Sequence, residues 1–395
     1  MHKPEMEPAP GQQLLRFVGD RVRFHLRRSV DAESPGQRAF LRTNLGRAER
    51  VRDEIIRSYT RKLPSAGAAW RDVAMRESGG GWWVELPLID VGFFQAKAYL
   101  IDSHGRQLWP DGPNVGISVQ PDQYRTRNTI YCAFVRMFGQ DQAERVGSSD
   151  GIEAELAKLD KLGYAAIPPS GKLRDLARQL PHIVDVLGCR ILHLLPVNPT
   201  PTTYARFGRF GSPYASQDLT AIDPALVEFD RRTTGIDQFR ELTYAAHLKG
   251  ARVFLDIVTN HTGWGSTLQE NHPDWFLADS EGYFVSPGAW GVTWEDLVEL
   301  NHRNPASAGA LAEVFLTWCR RGVDGFRCDA GYKVPMAAWR YITACVRQEY
   351  PETIFLLEGL GGSWEATEHL LTEGGMQWAH SELFQNYSGL EVATI

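Results

Sequence analysis

Apolar residues recur along the chain in short blocks, and the spacing within these blocks changes part-way along. Val22, Phe24 and Leu26 alternate with charged or polar residues, which is the period of a strand with one buried face. Further short apolar stretches follow, separated by Gly and Pro turns. Short strands at this spacing predict a small β-sandwich over residues 1–122. The charged segment 47–61 fits a loop or a short helix equally well.

Beyond residue 122 the blocks become continuously apolar and alternate with helical patterns. Apolar runs of this kind predict strands buried on both faces, and hence a parallel sheet. Polar residues collect where these strands end, which is where a (β/α)8 barrel carries its active site. We therefore predict an α/β fold with a partial (β/α)8 barrel over 123–395 and a loop domain inserted at 262–303. A doubly wound open sheet is the alternative. The predicted strands of the sheet are 130–135, 191–196, 253–258, 325–329, 354–358 and 378–383.

Composition and charge narrow the range of partners. A net charge of -6 and a pI near 6.0 give no reason to expect nucleic acid. We expect no membrane partner and a cytoplasmic location, because no apolar run has the length of a membrane span and the N-terminus lacks the apolar core of a signal peptide. The five cysteines are an odd number without CxxC spacing, which predicts buried free thiols rather than a disulfide framework or a zinc site.

Candidate catalytic groups stand at the ends of the predicted strands. Alternate residues of the strand 325–329 share a face, so Arg327 and Asp329 lie on the same side. A guanidinium beside a carboxylate holds that carboxylate ionised and orients it, although a purely structural ion pair explains the spacing equally well. The ends of neighbouring predicted strands add Asn198, Asp256, Asn260, His261 and Glu358.

Four stretches resemble motifs of the alpha-amylase family of retaining glycoside hydrolases and transglycosylases. Residues 256–261, DIVTNH, resemble the family's DxVxNH, and GFRCD at 325–329 resembles its GFRxD. Glu358 stands where the family places its acid/base glutamate, and SPYASQD at 212–218 is similar to its YxxxD stretch. Because the motifs follow one another in the family's order on suitable predicted elements, the chain is identified as a member over roughly 129–395.

The resemblance implies a double displacement in which two carboxyl groups flank the glycosidic bond. Asp329 would be the nucleophile, kept ionised by Arg327, and Glu358 would act as general acid and then as general base. Lys333 stands where many members have a histidine, so substrate contacts on that side need not follow the family. The implied substrate contacts are Tyr214 stacking on the sugar ring, His261 bonding its hydroxyls, Asp256 orienting Arg327, and Lys333.

The resemblance also bears on cofactors and on the extent of the chain. It implies no required cofactor but allows Ca²⁺ at Asn260, with Asp296 and Asn301 as further oxygen ligands. The family's third carboxylate, in a His-Asp pair, has no counterpart after Glu358, and from the sixth predicted strand onward only Glu382 and Glu391 offer a side-chain carboxyl group. We therefore expect a C-terminally truncated part of a longer protein, poorly soluble and essentially inactive when produced alone.

The functional expectation is an enzyme of carbohydrate metabolism that acts on an α-glucan or maltooligosaccharide. Hydrolysis is favoured over transfer, and the sequence leaves open whether the bond is α-1,4 or α-1,6. The N-terminal sandwich resembles the β-domains that precede the barrel in glycogen-acting members, and its Trp82-Trp83 pair would either bind glucan or serve only in packing. The alternative hypothesis is a non-catalytic glucan-binding or interaction protein with an amylase-like barrel.

Overall fold

The structure, a computed structural model, describes residues 3–27, 36–126, 128–139, 154–155, 158–159, 161–162, 170–201 and 211–380. The chain forms two compact units. The first comprises Met1–Thr126 with Thr343–Glu352 and Leu371–Gln377. The second comprises the remaining segments and carries all the predicted site residues. Within the described ranges, no helix is both long and apolar enough to cross a membrane.

The first unit contains two sheets whose buried side chains form one hydrophobic cluster, exemplified by Phe24 and Ile117. One sheet has the order β1-β3-β7-β6, and the other has the order β2-β10-β8-β4-β5 with β9 beside β8. The strands are β1 (Glu5–Glu7), β2 (Gln13–Phe17), β3 (Arg21–Arg27), β4 (Arg38–Thr43), β5 (Arg71–Ala74), β6 (Arg76–Ser78), β7 (Gly81–Pro87), β8 (Gly92–Ile101), β9 (Gln107–Leu108) and β10 (Val115–Gln120).

Three sequence patterns of the first unit can be compared with its structure. Val22, Phe24 and Leu26 are buried on one face of β3, as the alternation predicts. The ambiguous charged segment contains helix α1 (Ala48–Arg61). Neither residue of the Trp82-Trp83 pair presents a free ring: Trp82 is buried in the core, and the guanidinium of Arg23 lies 4.9 Å from the ring centroid of Trp83. Trp82 thus serves in packing, and a glucan-binding role of the half-buried Trp83 stays a prediction.

The second unit is built on a parallel sheet of six strands in the order β11-β12-β13-β18-β19-β20. Each strand lies beside the strand of this sheet that precedes it in the sequence. A doubly wound sheet reverses its strand order at a switch point, so the described strands contradict that alternative. The strands are β11 (Ile130–Ala133), β12 (Ile191–Leu194), β13 (Arg252–Val258), β18 (Gly325–Asp329), β19 (Ile354–Leu357) and β20 (Trp378–Ala379).

A contact across the sheet shows that it is curved. Three strand spacings separate β13 from β20, which amounts to about 14 Å in a flat sheet. The rings of Phe254 on β13 and Trp378 on β20 nevertheless have their centroids 5.7 Å apart, so the side chains converge on a concave face. Gly325 makes room for this packing, because a Cβ at its position would lie 2.5 Å from Cε1 of Phe254. A curved parallel sheet in sequence order is part of a (β/α)8 barrel.

Helices connect the strands of the sheet. The helix that precedes β12 is α-helical only over Leu173–Leu180, because Pro181 has no N–H to donate, and it continues as a π-helical turn over Pro181–Val186. Thr234 and Asp237 form a capping box at the start of α3. The helices after α1 are α2 (Leu173–Leu180), α3 (Gly235–Leu248), α4 (Thr267–Asn271), α5 (Pro305–Cys319), α6 (Met336–Glu349) and α7 (Trp364–Thr372).

The predicted insertion 262–303 has its own small core, formed by Phe276, Val298 and Leu300. Strand β14 pairs with β17, and β15 pairs with β16. Its described backbone thus consists mainly of short strands and turns. The strands are β14 (His261–Gly263), β15 (Gly288–Ala289), β16 (Val292–Thr293) and β17 (Leu297–Glu299).

Two sequence expectations for the second unit need correction. None of the five cysteines forms a disulfide, and Cys189, Cys319 and Cys328 are buried as predicted, but Cys345 is half-buried and Cys132 is exposed. The error arises because the apolar run 130–135 reads as buried on both faces, whereas Cys132 points to the concave side of β11. The strand expected at 378–383 is described only over Trp378–Ala379, and Glu382 lies outside the described residues.

Candidate active site

The concave face of the parallel sheet carries polar side chains from several strands. Residues paired in a parallel ladder point to the same face, and Cys132 pairs with His193 while Asp256 pairs with Arg327. Alternation along β13 and β18 adds Asp329 to that face. Glu358 directly follows β19, and His380 directly follows β20. Sequence reasoning thus located this cluster correctly at the carboxyl ends of the strands but missed His193 and His380.

Arg327 lies between two carboxylates. Its Nη1 is 2.5 Å from Oδ1 of Asp329, and 3.0 and 3.2 Å from the two carboxyl oxygens of Asp256. Asp256 is only 1% exposed. Burial lowers the pKa of Arg327, but the two carboxylates outweigh burial and raise it, so the guanidinium stays charged. A single guanidinium nitrogen is therefore shared by both acids.

The ionisation of Asp329 reflects opposing influences. Burial raises the pKa of Asp329, the guanidinium of Arg327 lowers it, and the neighbouring charges of Asp256 and Glu358 raise it again, to about 7. Arg327 offsets only part of the rise in the pKa of Asp329 that burial and the two acids cause. Asp329 consequently exchanges its proton close to neutral pH.

Glu358 is positioned by the backbone around Asp329. Its Oε2 accepts a hydrogen bond of 2.8 Å from the N–H of Ala330, and its own N–H donates to the carbonyl of Cys328 at 3.1 Å. Ala330 has φ +46°, in the left-handed region that residues with a Cβ rarely adopt. The backbone turns sharply just after Asp329, which directs the Ala330 N–H at Glu358 and brings the two acids together. Glu358 is 7% exposed.

His261 faces Asp329 from the end of the third strand of the sheet. Its Nε2 lies 3.8 Å from Oδ2 of Asp329, and neither ring nitrogen has a hydrogen-bond partner in the part of the chain that the structure describes. Burial, aided by the charge of Lys333, lowers the pKa of His261 to about 3. The imidazole is therefore neutral and has both nitrogens available for a ligand.

Tyr214 and Lys333 line the site from the loops. The hydroxyl of Tyr214 lies 3.4 Å from Oδ2 of Asp256, and burial raises the pKa of this phenol above its ordinary value. Lys333 donates a hydrogen bond of 2.6 Å from Nζ to the carbonyl of Gly288 in β15. Its Nζ also lies 5.7 Å from the ring centroid of Trp294, a residue of the insertion that sequence reasoning missed. Lys333 thus connects the turn after Asp329 to the insertion.

The Ca²⁺ site expected at Asn260 stays a prediction. Asn260 is 1% exposed, and both atoms of its side-chain amide lack hydrogen bonds to described residues; its oxygen suits a hard cation. The carbonyl oxygen of the Asn301 side chain already accepts from the N–H of Arg303 at 3.2 Å. Across the described ranges, no group of three His, Cys, Asp or Glu residues could hold a metal. We assign no step of the reaction to a metal.

The comparison with protein families decides to which family the second unit belongs. A model of the alpha-amylase catalytic domain matches residues 133–388, which include every polar side chain of the concave face except that of Cys132. The chain belongs to the alpha-amylase family. A (β/α)8 barrel is the architecture that this family implies for the curved sheet.

Individual relatives include both transferases and hydrolases. The alpha-1,4-glucan:maltose-1-phosphate maltosyltransferase of Rhodospirillum rubrum is 31% identical over 204 residues, covering 48% of this chain and 28% of that protein. Neopullulanase 2 of Thermoactinomyces vulgaris is 26% identical over 201 residues, covering 48% and 32%. A solved cyclomaltodextrinase structure, 18% identical, has a TM-score of 0.51 over 93% of this chain and 61% of its own, and so shares the fold. The matched segment is therefore less than a third of either curated relative.

Proposed function

We propose that the second unit is the catalytic centre of a retaining enzyme that cleaves α-glucosidic bonds in an α-glucan or maltooligosaccharide. The observation that carries this proposal is the junction at Ala330, whose N–H binds Glu358 directly after Asp329. This bond holds the carboxyl group of Glu358, at the end of the neighbouring strand, against the backbone of the residue that follows Asp329, and a reaction with two acids flanking one bond requires two carboxyl groups at one place. The two sheets of the first unit, which share one core, form a β-sandwich in this proposal.

In the first step, the ionised carboxylate of Asp329 attacks the anomeric carbon of the sugar. The bond from that carbon to the glycosidic oxygen breaks as Glu358 donates its proton to the departing oxygen. The product is a glycosyl ester on Asp329. In the second step, Glu358 takes a proton from an acceptor hydroxyl, whose oxygen attacks the anomeric carbon and releases Asp329.

The neutral state of His261 suits this reaction. The transition state resembles an oxocarbenium ion and carries positive charge, which an imidazolium nearby would oppose. With its pKa lowered to about 3, His261 offers hydrogen bonds to sugar hydroxyls without adding positive charge. The ring of Tyr214, 5.7 Å from Cζ of Arg327, provides a flat surface for the sugar beside the two acids.

The acceptor decides between hydrolysis and transfer, because both reactions share the glycosyl ester. Our expectation from the sequence is water, hence hydrolysis. Transfer to a sugar hydroxyl is the second candidate, favoured by the name of the Rhodospirillum rubrum relative, a maltosyltransferase. Incubation with maltoheptaose and analysis of the products separates them: glucose and short chains indicate hydrolysis, and products longer than the substrate indicate transfer.

Covalent trapping tests the proposal directly. A catalytically active form of the protein, extended at its C-terminus where residues 1–395 alone lack activity, is incubated with a 5-fluoro-α-glucosyl fluoride, digested, and mapped by mass spectrometry. We expect the label on Asp329 and none in the Asp329→Asn variant, since a neutral amide forms no glycosyl ester. Asp324→Asn is the matched control, because Asp324 bonds His247 and the N–H of Val253 outside the site. A label on another residue would contradict the assignment.

A further inference from the structure

His193 lies at the centre of the concave face, yet the proposed reaction does not use it. Its position on β12 places it beside Phe254 in the ladder, two residues before Asp256. The imidazole Nε2 lies 3.5 Å from Oδ2 of Asp256, an ion-pair distance, and the side chain of His193 is 11% exposed. A histidine buried against an already buried carboxylate calls for an electrostatic explanation.

The charges around Asp256 supply that explanation. Arg327 is shared, since the nitrogen that contacts Asp256 also contacts Asp329. Among the described residues, the ion pairs of Asp256 and Asp329 with a permanent cation are both made by this one guanidinium, and Glu358 adds a further carboxyl group beside Asp329. Each negative charge makes it harder for a neighbouring carboxyl group to ionise. The titratable groups that act on His193 from the neighbouring strands are Asp256, Cys132 and His380, and Tyr214 and Arg327 in turn lie against Asp256.

We propose that His193 is a positioning residue that carries a proton during catalysis and compensates the charge of Asp256, so that Arg327 can hold Asp329 ionised. This inference rests on the proposed function, in which Asp329 is the nucleophile. His193 touches no reacting atom and acts only through Asp256 and Arg327.

The titration of the surrounding groups is consistent with this role. Burial lowers the pKa of His193, but the neighbouring groups Asp256 and Cys132 outweigh burial and raise the pKa to about 9. His261 and His380 differ, because burial lowers the pKa of both. Of these three histidines, His193 is the one that is cationic at neutral pH. Since the charge of Asp256 raises the pKa of Asp329, a neutral residue at 193 should raise the pKa of Asp329 further.

The experiment is the pH dependence of kcat/KM on a maltooligosaccharide, measured with the full chain. His193→Gln removes the charge, and His193→Lys retains a positive charge. We expect the acidic limb of the profile to move upward by about half a unit or more in His193→Gln, which lowers the rate about three-fold below the limb and leaves the plateau above it nearly unchanged. His193→Lys should return the limb towards its original position, and His182→Gln, on an exposed surface, should leave it in place.

Two results would overturn the proposal. One is an equal loss of kcat/KM at every pH in His193→Gln with the limb unmoved, which indicates a purely structural role. The other needs no variant: histidine ¹³C NMR of the unaltered chain should show an imidazole still protonated at pH 8, and loss of the proton from all eleven histidines below pH 7 would exclude a cationic His193. The trapping experiment separates the two proposals, because a label on Asp329 with an unmoved limb removes only the role of His193.

Discussion

At the scale of single residues, burial opposes the chemistry at Asp329. The nucleophile must be ionised, yet its surroundings raise its pKa from 3.8 to about 7. Arg327 corrects part of this shift, and the rest remains as a free-energy cost in the folded state. A group whose folded pKa lies above its unfolded value contributes stability below the unfolded pKa, and that contribution is lost as the pH rises through the folded pKa. Ionised Asp329 therefore destabilises the fold above about pH 7.

The Asp329→Asn variant should therefore be both inactive and more stable. The amide cannot form the glycosyl ester, so turnover should fall by several orders of magnitude. The free energy of unfolding should rise by about 2 kcal/mol at pH 8, where wild-type Asp329 is ionised, and change little at pH 4, where it is protonated. Urea unfolding at both pH values measures this. A variant that is less stable than the wild type at pH 8 would show that Arg327 fully compensates Asp329.

Tyr214 allows its ring and its hydroxyl to be tested separately. Tyr214→Ala removes the ring and should lower kcat/KM on maltooligosaccharides by the equivalent of about 2–4 kcal/mol, through lost positioning of the sugar. Tyr214→Phe keeps the ring and loses only the long 3.4 Å contact to Asp256, so it should retain most of the activity. Steady-state kinetics of the two variants is the measurement. Equal losses in both would show that the hydroxyl matters and stacking does not.

At the scale of elements, the turn that follows β18 arranges the site. Ala330 is 2% exposed and left-handed, and its N–H connects the strand that bears Asp329 to the residue that follows β19. The same turn continues to Lys333, which bonds the carbonyl of Gly288 in the insertion. The end of β19 and the insertion strand β15 thus both bond to the short segment from Ala330 to Lys333.

Substitution of Ala330 should distinguish backbone conformation from packing. Ala330→Val places a β-branched residue in the left-handed region at a buried position and should destabilise the fold by about 2 kcal/mol or more. Ala330→Gly adopts this conformation without strain and should keep wild-type stability to within about 1 kcal/mol. Thermal unfolding of both variants tests this. Equal stability of the Val and Gly variants would mean that the turn relaxes freely.

Removal of the Lys333 ammonium should loosen the insertion. Lys333→Met keeps the aliphatic stem but loses the hydrogen bond to Gly288, so amides of β15 and β16 should exchange with solvent faster. Lys333→Arg retains a donor and should protect them more than Met does. Hydrogen exchange followed by mass spectrometry reports on these strands directly. Unchanged exchange in Lys333→Met would show that the pairing of β15 with β16 suffices without the lysine.

At the scale of the whole molecule, the curvature of the parallel sheet gathers the site. Residues from strands far apart along the sheet converge because the sheet bends, as the contact of Phe254 with Trp378 shows. A flat sheet would leave His193 and His380 on the same face but too far apart for both to interact with Asp256 and with each other. Each strand contributes one or two polar or charged side chains, and the curvature of the sheet brings these side chains together into one cluster.

Loss of the Trp378 ring should weaken this curved arrangement. Trp378→Ala removes an aromatic contact and half-buried apolar area from the concave face, and should lower the free energy of unfolding by about 1–3 kcal/mol. Trp364→Ala is the matched control, because Trp364 is 59% exposed and should change it by less than about 0.5 kcal/mol. Urea unfolding compares the two variants. An equal change in the free energy of unfolding of both variants would mean that the contact of the Trp378 ring with Phe254 contributes no stability.

The sequence by itself determined that the sheet is parallel and that Asp256, Arg327, Asp329 and Glu358 stand on or just after its strands, whereas the order of the strands came from the structure. Period-two alternation and continuous apolar runs are local properties of a strand, so they place a side chain on a face without reference to the rest of the chain. The family resemblance added their roles, which remain proposals here.

Only the tertiary structure decided the neighbours of these residues. The ion-pair distance from His193 to Asp256 depends on the register between β12 and β13, and the link from Lys333 to Gly288 depends on how the insertion folds back. The left-handed Ala330 had no local signal, because alanine ordinarily avoids that conformation. Contacts between distant segments arise from packing and register, which the periodicity of a single segment does not encode.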